Sequence, residues 1–298
     1  MLLIASFMIG YRIRRELALF HQVITLFIVL FLATPDAPRK KRSREMKQRT
    51  MVLAALLLAA QPGVQAATLK VFSSGGMYPV IESLKQDYQQ QSGDSIELEA
   101  APSMGDTPQA IPNRLKRHES ADVLVMVDYA IKPLEQAKWV DSASHQVLAH
   151  SYIAMAVKQG TTPPDISTVA KFKQVLTSAS SIAVSDSASG KYIQSKMLDK
   201  LQLGPKTAAK ITVIPATPVG EAVAQGKAEL GFQQNSELKA VKGITIVGLI
   251  PPAAQQDTLY GAVITRSSQQ QQAAAKFVKY LQSDKARSVM QEKGLTPY

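Results

Sequence analysis

Val123-Leu124-Val125-Met126-Val127 is an unbroken apolar run with no polar alternation. A strand that is apolar on both faces needs cover on both faces, and the helices of a parallel α/β sheet supply it. The flanking pattern agrees. Residues 69–73 form a short apolar strand, after which Val80, Ile81, Leu84 and Tyr88 recur at helical spacing over residues 77–91, with Gly93 as the stop. Residues 95–100 are the next strand, a helix follows to about His118, and residues 131–137 form another ahead of Trp139. This β-α-β-α-β-α order predicts a mostly parallel sheet flanked by helices.

The rhythm then changes. Residues 146–149 and 151–157 read as extended, and Gly160 with Pro163-Pro164 makes a turn. A second βα series follows, with helices over 167–176, 190–202 and 219–225 and strands over 181–184, 210–214, 229–233 and 244–247. Beyond Pro251-Pro252, residues 259–264 are extended again. Two helices close the chain, one over 270–281 and one from an Asp284 N-cap to Lys293, stopped by Gly294. Two βα blocks joined by two extended crossings predict an α/β protein of two lobes, each a central sheet flanked by helices. Residues 67–150 with 258–298 form the first lobe and 151–257 the second. The ligand cleft then lies between them, beyond the carboxyl ends of the strands.

The N-terminal part reads separately. Basic residues 46–50, an apolar run over 51–60 and Val64-Gln65-Ala66 have the three parts of a secretory signal peptide, cleaved near Ala66/Ala67. Residues 1–45 precede it and read as an over-extended start, since two export signals in tandem serve no purpose. The rival is a membrane anchor over 17–33, at the lower edge of a spanning length. Residues 1–66 hold ten of the 34 basic and three of the 23 acidic residues, which leaves 24 against 20 in the exported part. That small excess, with no Lys/Arg cluster interleaved with aromatics, argues against nucleic acid and for a small anionic ligand. There is no cysteine, so disulfides and thiolate chemistry are excluded. His118, His145 and His150 have no metal-ligand spacing, and no metal or other cofactor is expected.

Three small-residue stretches fall at strand-to-helix junctions: Ser73-Ser74-Gly75-Gly76, Ser185-Asp186-Ser187-Ala188-Ser189-Gly190, and the longer Ala101-Pro102-Ser103-Met104-Gly105-Asp106-Thr107-Pro108-Gln109-Ala110-Ile111-Pro112-Asn113-Arg114. Such junctions leave backbone N–H groups free to hold an anion. In the long stretch Pro112 belongs in the first turn of a helix, and residues 103–110 read as an ordered loop at the cleft rim.

Val71-Phe72-Ser73-Ser74-Gly75-Gly76-Met77, Ala121-Asp122-Val123, Gly231-Phe232 and the closing Glu292-Lys293-Gly294-Leu295 resemble the periplasmic molybdate-binding proteins across residues 67–298. The resemblance implies their two-lobe periplasmic binding-protein fold and an oxyanion site without cofactor. Three positions depart from that family: Gly76 stands at a ligating serine, Gln233-Gln234 at a tyrosine, and Ser189 at an alanine. The long stretch, Ser185–Gly190 and Gly231-Phe232-Gln233-Gln234-Asn235-Ser236-Glu237-Leu238-Lys239 are more similar to the bacterial aconitate isomerases, which share the fold. That resemblance implies periplasmic, cofactor-free interconversion of cis- and trans-aconitate.

Moving the double bond of a small trianion requires a base and donors for the dienolate. Ser74, Ser103, Ser187 and Ser189 offer hydroxyls, Gly75, Gly105 and Gly190 allow close backbone approach, and Gln233 and Gln234 offer amides. Ser73, Gly76 and Met104 complete the binding stretches. Arg114 reads either as a bidentate carboxylate clamp or as a solvated surface arginine. Asp106 is the expected base. Asp186 reads as a turn cap, His118 as half-exposed, and Lys191 and Tyr192 as residues within reach. The competing reading is a binding protein that delivers a molybdate-like oxyanion or small carboxylate to an ABC permease, and it needs the donors but no base.

Overall fold

A computed structural model describes residues 66–298. The expectations for the signal segment, the early start and the 17–33 anchor lie outside the described residues. Among those described, no helix is long and apolar enough to cross a membrane.

The first sheet begins with β1 (Thr68–Ser73), α1 (Tyr78–Ser92) and β2 (Ser95–Ala100). Helix α1 buries Val80, Ile81, Leu84 and Tyr88, the four residues at helical spacing, at about 1.5–3 kcal/mol for each large apolar side chain. Gly93 ends it in the left-handed conformation at φ 79°. After the loop comes α2 (Ile111–Lys116), with Pro112 in its first turn as the sequence requires, then β3 (Val123–Val127), buried at every residue. Helix α3 (Ile131–Gln136) leads to β4 (Val140–Ser151), much longer than the expected 146–149.

The second sheet is built from β5 (Ile153–Lys158), α4 (Val169–Ser178), β6 (Ile182–Ser185), α5 (Ala188–Tyr192), α6 (Pro205–Ala208), β7 (Ile211–Ile214), α7 (Val219–Ala224), β8 (Leu230–Gln234), α8 (Asn235–Lys239) and β9 (Ile244–Leu249). Helix α5 continues through a π-helical turn (Ile193–Met197) to Lys200. The chain then returns through β10 (Thr258–Thr265), α9 (Gln271–Tyr280), α10 (Asp284–Glu292) and the two-residue β11 (Thr296–Pro297). Ser283, not Asp284, caps α10, its side chain accepting from the Ala286 N–H; Asp284 falls in the first turn, where a carboxylate also favours the helix dipole.

Strand order is β11-β4-β10-β3-β1-β2 in the first sheet and β7-β6-β8-β5-β9 in the second. Both sheets are mixed rather than mostly parallel. β1, β2 and β3 run parallel, as do β6, β7 and β8. The crossing strands β4, β5 and β10 enter from the opposite direction and pair antiparallel. The closing helices pack on the first sheet, where Phe277 of α9 meets Tyr88 of α1 edge-to-face at 5.0 Å.

Two glutamines join the crossings. Gln234 accepts from Ser151 Oγ at 2.8 Å and donates to Thr258 Oγ1 at 3.2 Å. Gln255 accepts from the Ile153 N–H and donates to the Ile153 carbonyl, both at 2.9 Å. The two strands between the sheets are thereby tied together.

Candidate functional site

The carboxyl ends of β1 and β2 face those of β6, β7 and β8 across a cavity of about 100 Å³. From the first lobe Ser74, Gly75, Pro102 and Tyr260 line it; from the second come Ser185, Asp186, Ser187, Ser189, Gln233, Gln234 and Glu237. No lysine or arginine is among the lining residues. The chemistry is that of hydroxyls, amides and two carboxyl groups.

Each junction contributes in a different way. Ser74 and Gly75 follow β1 directly. Ser74 Oγ is buried close to the Tyr260 hydroxyl but has no hydrogen bond of acceptable geometry to any described residue, which leaves it for a ligand. Ser73 points behind the wall, its hydroxyl donating to the Ser74 carbonyl at 3.1 Å. Ser187 precedes α5 without capping it, so the first-turn amides of that helix face the cleft end of β6 without intrahelical partners. Ser185 and Ser189 share a hydrogen bond at 3.1 Å. Gly190 packs against the Ser185 backbone so tightly that no Cβ fits there.

Much of the long loop serves the walls rather than the ligand. Ser103 is fully buried and accepts from the Val127 N–H at 2.9 Å. Met104 lies with its sulfur 3.9 Å from the Tyr129 hydroxyl. Gly105, at φ 120°, carries the loop across to the second lobe, where a Cβ would sit 2.8 Å from the Asp186 carbonyl. Asp106 is exposed and outside the lining. Arg114 is neither clamp nor solvated surface residue. It is buried, pairs with Glu99 and with Glu119 (2.7 Å), and covers the Phe72 ring at 3.6 Å. Burial works against its charge, and the two carboxylates outweigh that cost and hold its proton more tightly than usual.

The group that sequence reasoning missed is Glu237, on the first turn of α8. Gln233 Nε2 donates to its Oε2, while Gln233 Oε1 accepts from the Val219 N–H at 2.8 Å. Glu237 keeps some open surface at the cavity wall, yet protein encloses it closely enough for desolvation to dominate. Burial pushes its carboxyl from 4.5 up to about 8 against the opposing Gln233 hydrogen bond. Tyr260, 2% exposed, stands beside it. Burial first, and then the Glu237 charge, push its phenol well above the usual tyrosine range, so it stays a neutral donor.

These two side chains explain the glycine pair. A Cβ on Gly75 would overlap the Glu237 carboxyl, and a Cβ on Gly76 would overlap the Tyr260 hydroxyl. The sequence held a signal for this: two adjacent glycines at a strand end mark space taken by side chains from elsewhere, and Glu237 lies just past β8 on the same side as the cleft.

The comparisons with known proteins agree with this geometry. The profile of bacterial extracellular solute-binding proteins matches residues 69–296. An aconitate isomerase of a Pseudomonas species is 49% identical over 251 residues, covering 83% of this chain and 96% of that protein. The periplasmic molybdate-binding protein of Azotobacter vinelandii superposes with a TM-score of 0.60 at 20% identity, over 76% of this chain and 98% of that one. Peb3 of Campylobacter jejuni gives 0.59 at 15%, over 77% and 100%. The two structures bear on fold alone. The chain belongs to the family of bacterial extracellular solute-binding proteins.

Proposed function

We propose that the protein is a periplasmic aconitate isomerase that interconverts cis- and trans-aconitate by a cofactor-free 1,3-proton shift. The observation that carries the reading is Glu237: a carboxyl poised at about 8, walled into a cavity of otherwise neutral donors. A protein that only captures an anion has no use for an ionisable acid against its ligand. A proton-transfer enzyme needs one whose pKa lies near the working pH. The 49% identity to the Pseudomonas aconitate isomerase supports the same assignment.

The chemistry follows from the wall. One carboxylate of the acid sits at Ser74 and Gly75 and another at Ser187, Ser189 and the first-turn amides of α5. Ionised Glu237 takes a proton from the CH₂ next to a bound carboxylate, and the C–H electrons move into the neighbouring double bond to give a dienolate. Returning the proton to the former vinyl carbon leaves the double bond one position along. The rotamer of the CH₂ arm in the bound acid decides which geometry the new double bond has. Atoms and charge balance with no co-reactant. Neutral donors replace the water around the substrate charges without forming ion pairs that would have to be broken on release.

Purified protein incubated with cis-aconitate, followed by chromatography, yields trans-aconitate if the reading holds. No conversion, together with thermal stabilisation by molybdate, would reduce the protein to an oxyanion carrier.

A further inference from the structure

Proton abstraction next to a carboxylate places negative charge on that carboxylate, and a rigid neutral donor is needed where the charge arrives. Most amide and hydroxyl groups in the cavity are already engaged. Gln234 is held between Ser151 and Thr258, Gln233 between Glu237 and the Val219 amide, and Ser185 and Ser189 by each other. Ser74 and Tyr260 remain beside Glu237.

Tyr260 has the better-fixed position. It lies inside β10, opposite Val127 on one neighbouring strand and Ala149 on the other, with its ring in the core of the first lobe. A group mounted on a central strand holds its place more closely than one on a loop. Its hydroxyl emerges at Gly76, where the lack of a side chain gives it room, on the same side as Glu237 and Ser74. A phenylalanine would fill the core equally well, so the hydroxyl answers a need at the cavity and not in the core.

We propose that Tyr260 is a catalytic residue, whose hydroxyl donates to the substrate carboxylate adjacent to the carbon that loses its proton and stabilises the dienolate. This inference rests on the isomerase reading above. Gly76 belongs to the same device, since any side chain there displaces the hydroxyl.

The test compares Tyr260→Phe and Gly76→Ala with the unaltered protein, measuring kcat and KM for cis-aconitate alongside thermal melting. Both variants are expected to melt near the parent temperature. Loss of one transition-state donor lowers kcat by about a hundred- to a thousand-fold, with KM moving by less than about threefold because ground-state binding is little altered. A Tyr260→Phe variant that keeps kcat within about threefold of the parent overturns the inference while leaving the isomerase reading intact. So does a variant whose KM rises at constant kcat, because Tyr260 would then only bind. A parent protein that does not isomerise cis-aconitate removes the reading itself, and this inference with it.

Discussion

Glu237→Gln separates the chemical role of this carboxyl from its energetic cost. In the unfolded chain the group ionises at its ordinary 4.5, and in the fold at about 8. A raised folded value means that the native state holds the proton the unfolded chain has already released. The wild type is therefore unpenalised below 4.5, and it loses stability steadily as pH rises from there to about 8. At about 1.36 kcal/mol for each tenfold change in proton affinity, the gap amounts to about 4.8 kcal/mol once pH exceeds 8. Residual solvent contact makes this an upper figure, and about 3–5 kcal/mol is expected. Glutamine has the same shape, accepts the Gln233 hydrogen bond and carries no titration. Urea unfolding of both proteins at pH 5, 6, 7, 8 and 9 should show the variant gaining on the wild type through that window, with a plateau above about pH 8. Isomerase activity should be abolished at every pH. A stability difference that stays flat from pH 5 to 9 would refute the claim that Glu237 is held neutral by burial.

The rate itself should follow the ionised fraction of Glu237. With the group at about 8, kcat/KM rises close to tenfold per pH unit below about pH 7 and levels off above about pH 8; an activity profile flat between pH 6 and 8 speaks against Glu237 as the base. Arg114→Ala strands Glu99 and uncovers Phe72, so a loss of about 1–3 kcal/mol and a melting point lower by roughly 3–10 °C are expected, with KM unchanged. Asp106→Asn should leave kcat/KM within about threefold of the parent, since the residue is exposed and away from the cavity. Aconitate at a hundredfold excess over its Kd should stabilise the fold by about 2.7 kcal/mol, measured as a shift in melting temperature.

The features that local patterning specifies were legible in the sequence. β3 declared itself by five apolar residues, α1 by its four-residue stripe and Gly93, and the start of α2 by Pro112. The two crossings were visible as breaks in the βα rhythm, although the full length of β4 was not, because Asp141, Ser142 and Ser144 interrupt its apolar pattern at an exposed stretch. The site was half legible. Small-residue junctions identified Ser74, Gly75, Ser187 and Ser189, because free amides at strand ends are a local property. Glu237 and Tyr260 were not, because their role depends on tertiary placement: in isolation, Asn-Ser-Glu-Leu-Lys is an ordinary helix start and Leu-Tyr-Gly-Ala-Val an ordinary strand. Arg114 misled for the same reason, as nothing near it in the chain announces Glu99 across the sheet.

β11 is the smallest element of the fold, yet it guards an exposed margin. Thr296 and Pro297 pair with His150 and Ala149, the Tyr298 N–H donates to the Leu148 carbonyl at 2.9 Å, and the Tyr298 ring stacks on His150 at 5.7 Å. These contacts occupy backbone groups that β4 would otherwise offer to any passing strand. Trimming the last three residues, or fusing an affinity tag to them without a spacer, leaves that part of β4 bare and turns a closed margin into a template for intermolecular association. A purified preparation shortened in this way should elute as higher oligomers, with its catalytic cleft untouched.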